Sequence, residues 1–400
     1  MRFIALALSL AVLTFAGTKP KVRAVTAFVA IDQKQYSSQL EDAVRFLNTA
    51  REAYRNAGFE VESIRIATQP FPQYTRGLSH DAALAMLGSM GAIAAKSGFG
   101  LSIGPAMLKD SDDPASVEVL ADLLSGETRI NASLVIADED GIHWSSVRQS
   151  ARLIKTVARR SKHSQGNLSF AAIAMLKSYG PFFPGAYHLG SGHAFAVGLE
   201  GANIVEEVFA KDHDPRTAEK NLLAALTQHF GEAEKVATGI ASNSGWTYAG
   251  IDPTPAPLGE VSIGRAIESF TGAPFGAPGT LTAAAIITRA VQAVPIKRVG
   301  YAGLMIPVLE DALLARRWEE RTYTMDSLLA YSAVCAGGLD TVPLPGDISE
   351  ERIAGILSDV ASLAYKWHKP LAARLLPVAG KKAGERTEFN DPRMANTTIQ

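Results

Sequence analysis

Between residues 22 and 158 the apolar residues switch repeatedly from short continuous runs to the three-and-four spacing of helices. Residues 22–31 (VRAVTAFVAI) are rich in β-branched side chains and bounded by polar sequence, the pattern of a buried strand. Leu40, Ala43, Val44, Leu47, Ala50 and Tyr54 then share one helical stripe, and Gly58 sits where a helix stop is wanted. Residues 59–66 alternate as a strand with one wet face. The unit recurs: helices near 81–96, 114–124 and 144–158, strands near 99–103 and 131–137. Such alternation predicts a largely parallel sheet covered by helices.

The middle changes character. Residues 180–188 (GPFFPGAYH) form a stiff aromatic loop, too rich in proline for a strand interior. A strand near 193–199 and helices near 202–210 and 217–230 follow; residues 242–282 are dense in Gly and Pro, with one helix near 261–270. Helices near 281–294, 306–318, 325–334 and 350–367 and a strand near 372–378 complete the pattern. No repeat of solenoid length and no flexible linker interrupts it, so residues 21–400 are expected to form a single large α/β domain.

The chain has 400 residues, 39 Lys plus Arg against 40 Asp plus Glu, and a formal charge of −1. That balance offers no global field for nucleic acid or an anionic membrane. A single cysteine, Cys335, excludes an internal disulfide framework and Cys-rich metal centres. Residues 3–17 are uncharged, follow Arg2 and are too short to span a bilayer, which suits a signal peptide over residues 1–18. Lys19, Lys21 and Arg23 directly after the apolar run oppose export. The segment thus predicts a periplasmic or exported chain with no membrane span once it is removed; a buried first element or a misplaced start leaves the chain cytoplasmic.

Loops that combine Gly, Pro and ionisable residues are the natural places to look for chemistry. His188 ends the stiff 180–188 loop, which suits an imidazole held for proton transfer; the alternative is a buried structural histidine. Glu200 and Glu206 downstream could share its pocket. Asp252 and Glu260 bracket three prolines and suit acid/base work or a divalent cation, against the plainer roles of turn and cap. Gly276, Gly279 and Thr280 open straight into a helix, a setting that favours a phosphate or carboxylate, although the spacing matches neither phosphate-loop pattern. Cys335 precedes a Gly-Gly turn and Asp340; a thiolate at that helix C-terminus is disfavoured, so a small buried hydrophobe is the competing role. Arg374, in a strand flanked by Leu and Pro, is expected to grip a carboxylate or phosphate, against the plainer role of an ion pair with one of the chain's own acids, and Lys381 adds positive charge nearby.

Several blocks carry a resemblance: residues 56–72 (NAGFEVESIRIATQPFP), 181–203, 248–260, 276–290 (GAPGTLTAAAIITRA), 300–311 (GYAGLMIPVLED), 331–347 and 372–389. On these blocks the chain resembles the domain-of-unknown-function 711 proteins, also called uncharacterised protein family 0210. The resemblance implies a pyruvate formate-lyase-like fold, a large barrel of parallel and antiparallel strands ringed by helices, and a homodimer. No activity comes with it. Glycyl-radical enzymes of that fold carry an Arg-Val-x-Gly-Tyr loop near the C-terminus; Arg298-Val299-Gly300-Tyr301 lacks the intervening residue and lies far from the end. Radical chemistry is therefore not expected.

The sequence predicts an enzyme that acts on a small anionic metabolite by acid/base chemistry. The anion would be held by Gly276, Gly279, Thr280, Asp340, Arg374 and Lys381, and protons moved by His188, Asp252, Glu260 or Cys335. The alternative is a carboxylate- or phosphate-binding protein without turnover. Cofactor and metal are left open, and no nucleic-acid partner is expected.

Overall fold

The computed structural model describes residues 19–126 and 130–400; the signal-like segment 1–18 lies outside them. The first half follows the expected alternation: β1 (Lys21–Val29), α1 (Tyr36–Asn56), β2 (Ile64–Thr68), α2 (Phe71–Tyr74), α3 (His80–Ser97), β3 (Gly100–Pro105), α4 (Ala115–Ser125), β4 (Ile130–Asp138), β5 (Gly141–Ile142) and α5 (Trp144–Arg160). Then come β6 (Phe170–Ala174), β7 (Ala194–Glu200), α6 (Ala202–Phe209), α7 (Pro215–Ser244), β8 (Thr247–Asp252), α8 (Ile263–Thr271) and α9 (Thr280–Ala293). The chain finishes with α10 (Ala312–Glu319), α11 (Met325–Ser332), β9 (Gly338–Pro345), α12 (Glu350–Trp367) and β10 (Leu371–Val378). Local chemistry sets many of these boundaries. Ser79, Asp214, Ser262 and Ser349 each accept a backbone N–H at a helix start, which satisfies a donor that the helix leaves free.

Ten strands form one sheet, with nine in the order β8-β7-β1-β2-β3-β4-β6-β10-β9 and β5 paired to β4. The five central strands from β1 to β6 run parallel. On each side an antiparallel step leads to a parallel pair, β7 with β8 and β10 with β9. The two edges do not stay open. Residues 297–311 run as a strap between them, with Arg298 bridged in parallel to Ile251 of β8 and Pro307 to Asp340 of β9. The sheet therefore closes into a barrel and leaves no bare edge along this seam. This is the helix-ringed strand barrel expected from the sequence. One expectation fails here: a helix was predicted over 306–318, but only 312–319 is helical, because residues 306–311 belong to the strap.

The strands are buried on both faces, and the pleat divides their residues. Large aliphatic side chains such as Val25, Ile66, Leu101, Leu134 and Leu375 face outward and pack under the helices. Many inward positions are small or polar, among them Thr26, Ala67, Ser102, Ala171, Ala196 and Ala372. Small side chains leave space, and the 180–188 loop fills part of it. Phe182, Tyr187 and Tyr301 form one interior cluster, and Phe28, Phe183, Ala186 and Tyr179 another. Thr26 Oγ1 donates to the Pro181 carbonyl at 3.0 Å and Ser102 Oγ to the Ala186 carbonyl at 2.8 Å, so inward hydroxyls pin the loop inside the barrel.

Candidate functional site

The loop leaves one end of the barrel open. A cavity of about 800 Å³ lies at the amino ends of the parallel strands, lined among others by Arg23, Arg65, Asn131, Ala171 and Arg374. Phe182, Phe183 and Pro184 contribute from the inserted loop, Tyr301, Met305 and Glu310 from the strap, and residues 390–394 from the C-terminal turn.

Its wall carries a buried ion-pair network. Arg23 contacts Glu200, Glu62 at 3.5 Å and Glu310 at 3.3 Å. Arg374 contacts Glu310 at 2.7 Å and Asp340 at 2.5 Å, so Glu310 joins the two guanidinium groups. Four carboxyl groups, of which Glu200 is buried and Glu62 reaches solvent, thus share two guanidinium groups, an arrangement that favours retaining a proton. Burial is the largest influence on Glu200; with the neighbouring Glu62 it outweighs Arg23 and pushes that carboxyl up to about 7. Burial also raises Asp340, against the pull of Arg374, whereas Glu310 is held below the usual range by Arg374 and Arg23 in spite of its burial.

Arg65 is different. Its Nε donates to Ser63 Oγ at 3.0 Å and its guanidinium lies 5.0 Å from the centre of the Phe183 ring. No carboxylate among the described residues pairs with it. Burial first, then the like charges of Arg23 and Arg393, bring it down to about 9. A cation held there without a partner favours an anion beside it.

Of the residues singled out from sequence, the structure brings Asp340 and Arg374 together on the cavity wall and joins Glu200 to them through Arg23 and Glu310. His188 is fully buried near the opposite end of β2, where its backbone N–H donates to the Thr68 carbonyl. Its ring faces Phe28 and Tyr179, no group among the described residues completes a hydrogen bond to either ring nitrogen, and burial lowers its pKa despite the nearby backbone of Val29 and Gly190. Asp252 ends β8 and is occupied by four donors: the N–H and hydroxyl of Thr254 and the N–H groups of Tyr301 and Ala302. It fastens the strap. Gly300 makes that possible, since its φ is +74° and a Cβ there would stand 2.1 Å from Asp252 Oδ2. The Arg298–Tyr301 stretch is thus part of the barrel seam.

Glu260 is exposed and pairs with Arg265 at 3.1 Å, well separated in role from buried Asp252. Gly276, Gly279 and Thr280 make a closed turn: Gly276 N–H donates to Thr280 Oγ1, and Gly276 packs so tightly on the Thr322 carbonyl that a Cβ would lie 2.1 Å away. Cys335 is buried with its Sγ 4.0 Å from Ser332 Oγ, and Lys381 pairs with Glu388. None of these lines the cavity. Among the described residues no group of three or more His, Cys, Asp or Glu side chains is placed to hold a metal ion. No described helix is long and apolar enough to cross a membrane.

Sequence reasoning passed over Arg23, Arg65, Glu62 and Glu310. A signal was present for the first two: a lone arginine inside an otherwise apolar strand (VRAV, SIRI) marks an inward-facing position.

Comparison with known proteins places the chain. The family model described as Uncharacterised ACR (DUF711) matches residues 15–390. A UPF0210 protein of Pyrobaculum aerophilum is 34% identical over 68% of this chain and 62% of its own length, so the match spans under two thirds of that relative. A UPF0210 protein of Desulforudis audaxviator is 31% identical over 90% of this chain and 84% of its own. Among solved structures, the anaerobic ribonucleotide reductase from Thermotoga maritima matches at 9% identity with a TM-score of 0.40, covering 94% of this chain and 79% of the reductase. The chain belongs to the DUF711 family of uncharacterised proteins.

Proposed function

We propose that the protein is an enzyme that takes a small anionic metabolite into the barrel cavity and acts on it by acid/base chemistry. Arg65 anchors the anion, and Glu200 holds the proton. The observation that carries this reading is the half-buried guanidinium of Arg65, which lines a roomy cavity without a carboxylate of its own. Glu62 lines the cavity with Glu200 beside it, so the proton that Glu200 keeps near neutral pH lies one carboxyl group away from a bound molecule. His188 and Asp252 have no access to that space, and the proton chemistry moves to these glutamates.

A thermal-shift screen of the purified chain against carboxylates and phosphates tests the reading, since a ligand that binds only the folded state raises the melting temperature. At least one anion should stabilise the native protein, and Arg65→Gln should erase the shift. Loss of no shift in that variant would sink the assignment. A second reading, ligand binding without turnover, is favoured by one observation: every carboxylate that lines the cavity is already engaged by a guanidinium. Mass spectrometry of the stabilising ligand after prolonged incubation separates the two.

A further inference from the structure

We propose that the ligand of this cavity carries two separate anionic groups, one met by Arg65 with Arg393 and the other by Arg51. The inference rests on the anion-binding reading above and narrows it to a class, a dicarboxylate or a molecule of like charge. Arg51 reaches the cavity from α1, Arg65 from β2 and Arg393 from the C-terminal turn, so three unrelated segments bring arginines to the wall of one space. Among the described residues neither Arg51 nor Arg65 has an ion-pair partner, and the Nε of Arg51 is buried without any hydrogen-bond partner.

The cavity's carboxylates cannot serve them. Glu62 and Glu310 are engaged by Arg23, Asp340 by Arg374, and Asp391 by Arg393 within its own turn at 2.7 Å. Positive charge is therefore in surplus at this end of the barrel. Arg65 and Arg393 are close enough for their charges to oppose one another, and an anion between them relieves that opposition. A single carboxylate would satisfy Arg65 and leave Arg51 as it is. About 800 Å³ is ample for a molecule that reaches both.

The experiment is isothermal titration of the purified full-length chain with butyrate, succinate and glutarate. The tighter of the two dicarboxylates should bind at least tenfold more tightly than butyrate. Arg51→Gln should bring it to within about twofold of butyrate while butyrate itself is unchanged, and Arg65→Gln should weaken all three. Arg51→Lys, which keeps the charge, should retain part of the preference and serves as the control for folding. A wild-type preference under threefold, or a preference that survives Arg51→Gln, overturns the proposal and leaves the single-anion site standing. Failure of all three probes to bind overturns the anion-binding reading itself.

Discussion

The two ends of the barrel interior are built from the same strands and could hardly differ more. At the amino ends of β1 and β2 the inward side chains are Arg23 and Arg65, beside a cavity; at the carboxyl ends they are Phe28 and Ala67, under Tyr179, Phe183 and Ala186. One end is held by charges that must be matched, the other by close packing and hydroxyl–carbonyl bonds. The inserted loop explains the contrast, because it occupies one end and forms only a boundary of the other. A filled end fixes the walls, and fixed walls let the open end keep a cation such as Arg65 without a partner.

The comparison can be broken by substitution. The largest effect is expected for Arg23→Ala, which leaves Glu200 and Glu310 short of a buried partner; a loss of about 3–5 kcal/mol should appear in urea unfolding. Asp252→Ala strips four donors of their acceptor and loosens the strap, at roughly 2–3 kcal/mol in the same measurement. Ser102→Ala, at the packed end, should cost only about 1 kcal/mol and leave anion stabilisation intact. Were Ser102→Ala to abolish ligand stabilisation while Arg65→Gln did not, the division between a binding end and a packed end would be wrong.

The two ends should also answer pH with opposite signs. Glu200 is raised from 4.5 to about 7 on folding, so the native state holds a proton that the unfolded chain releases. Its contribution is present below about 4.5 and is lost as pH rises toward 7. His188 is lowered below its ordinary 6.5, so its contribution is present above that value and is lost as pH falls through it. Melting temperatures between pH 4.5 and 8 should therefore show a falling component that Glu200→Gln removes and a rising one that His188→Phe removes. The smallest effect on stability belongs to Arg65→Gln, expected within about 0.5 kcal/mol of the parent, because no ion pair is lost.

Legibility of the sequence followed the same physical divide. Amphipathic helices and β-branched strands of the first half were readable because one face of each meets water or a large aliphatic layer. Besides the two-residue Gly141–Ile142, three strands were not: Phe170–Ala174 (FAAIA), Thr247–Asp252 and Gly338–Pro345. Their inward positions need small residues to admit the loop and the strap, and Ala, Gly and Pro there read as turns. Arg374 was legible as a buried cation because Leu and Pro flank it, and it does grip Asp340 and Glu310. The Gly-rich loop at 276–280 misled for the opposite reason: glycines that permit tight packing on Thr322 look, in sequence, like glycines that admit a phosphate. The cavity itself was invisible, since its members come from both ends and the middle of the chain.

That last point bears on synthesis. Glu310 of the strap meets Arg23 across 287 residues of sequence and Arg374 across 64. During translation β1 emerges first and must wait for the strap, and Glu310 then lacks its second guanidinium until β10 has left the ribosome. The network can assemble only after nearly the whole chain is made, so a polypeptide that ends before Leu371 would leave Asp340 and Glu310 without the guanidinium of Arg374.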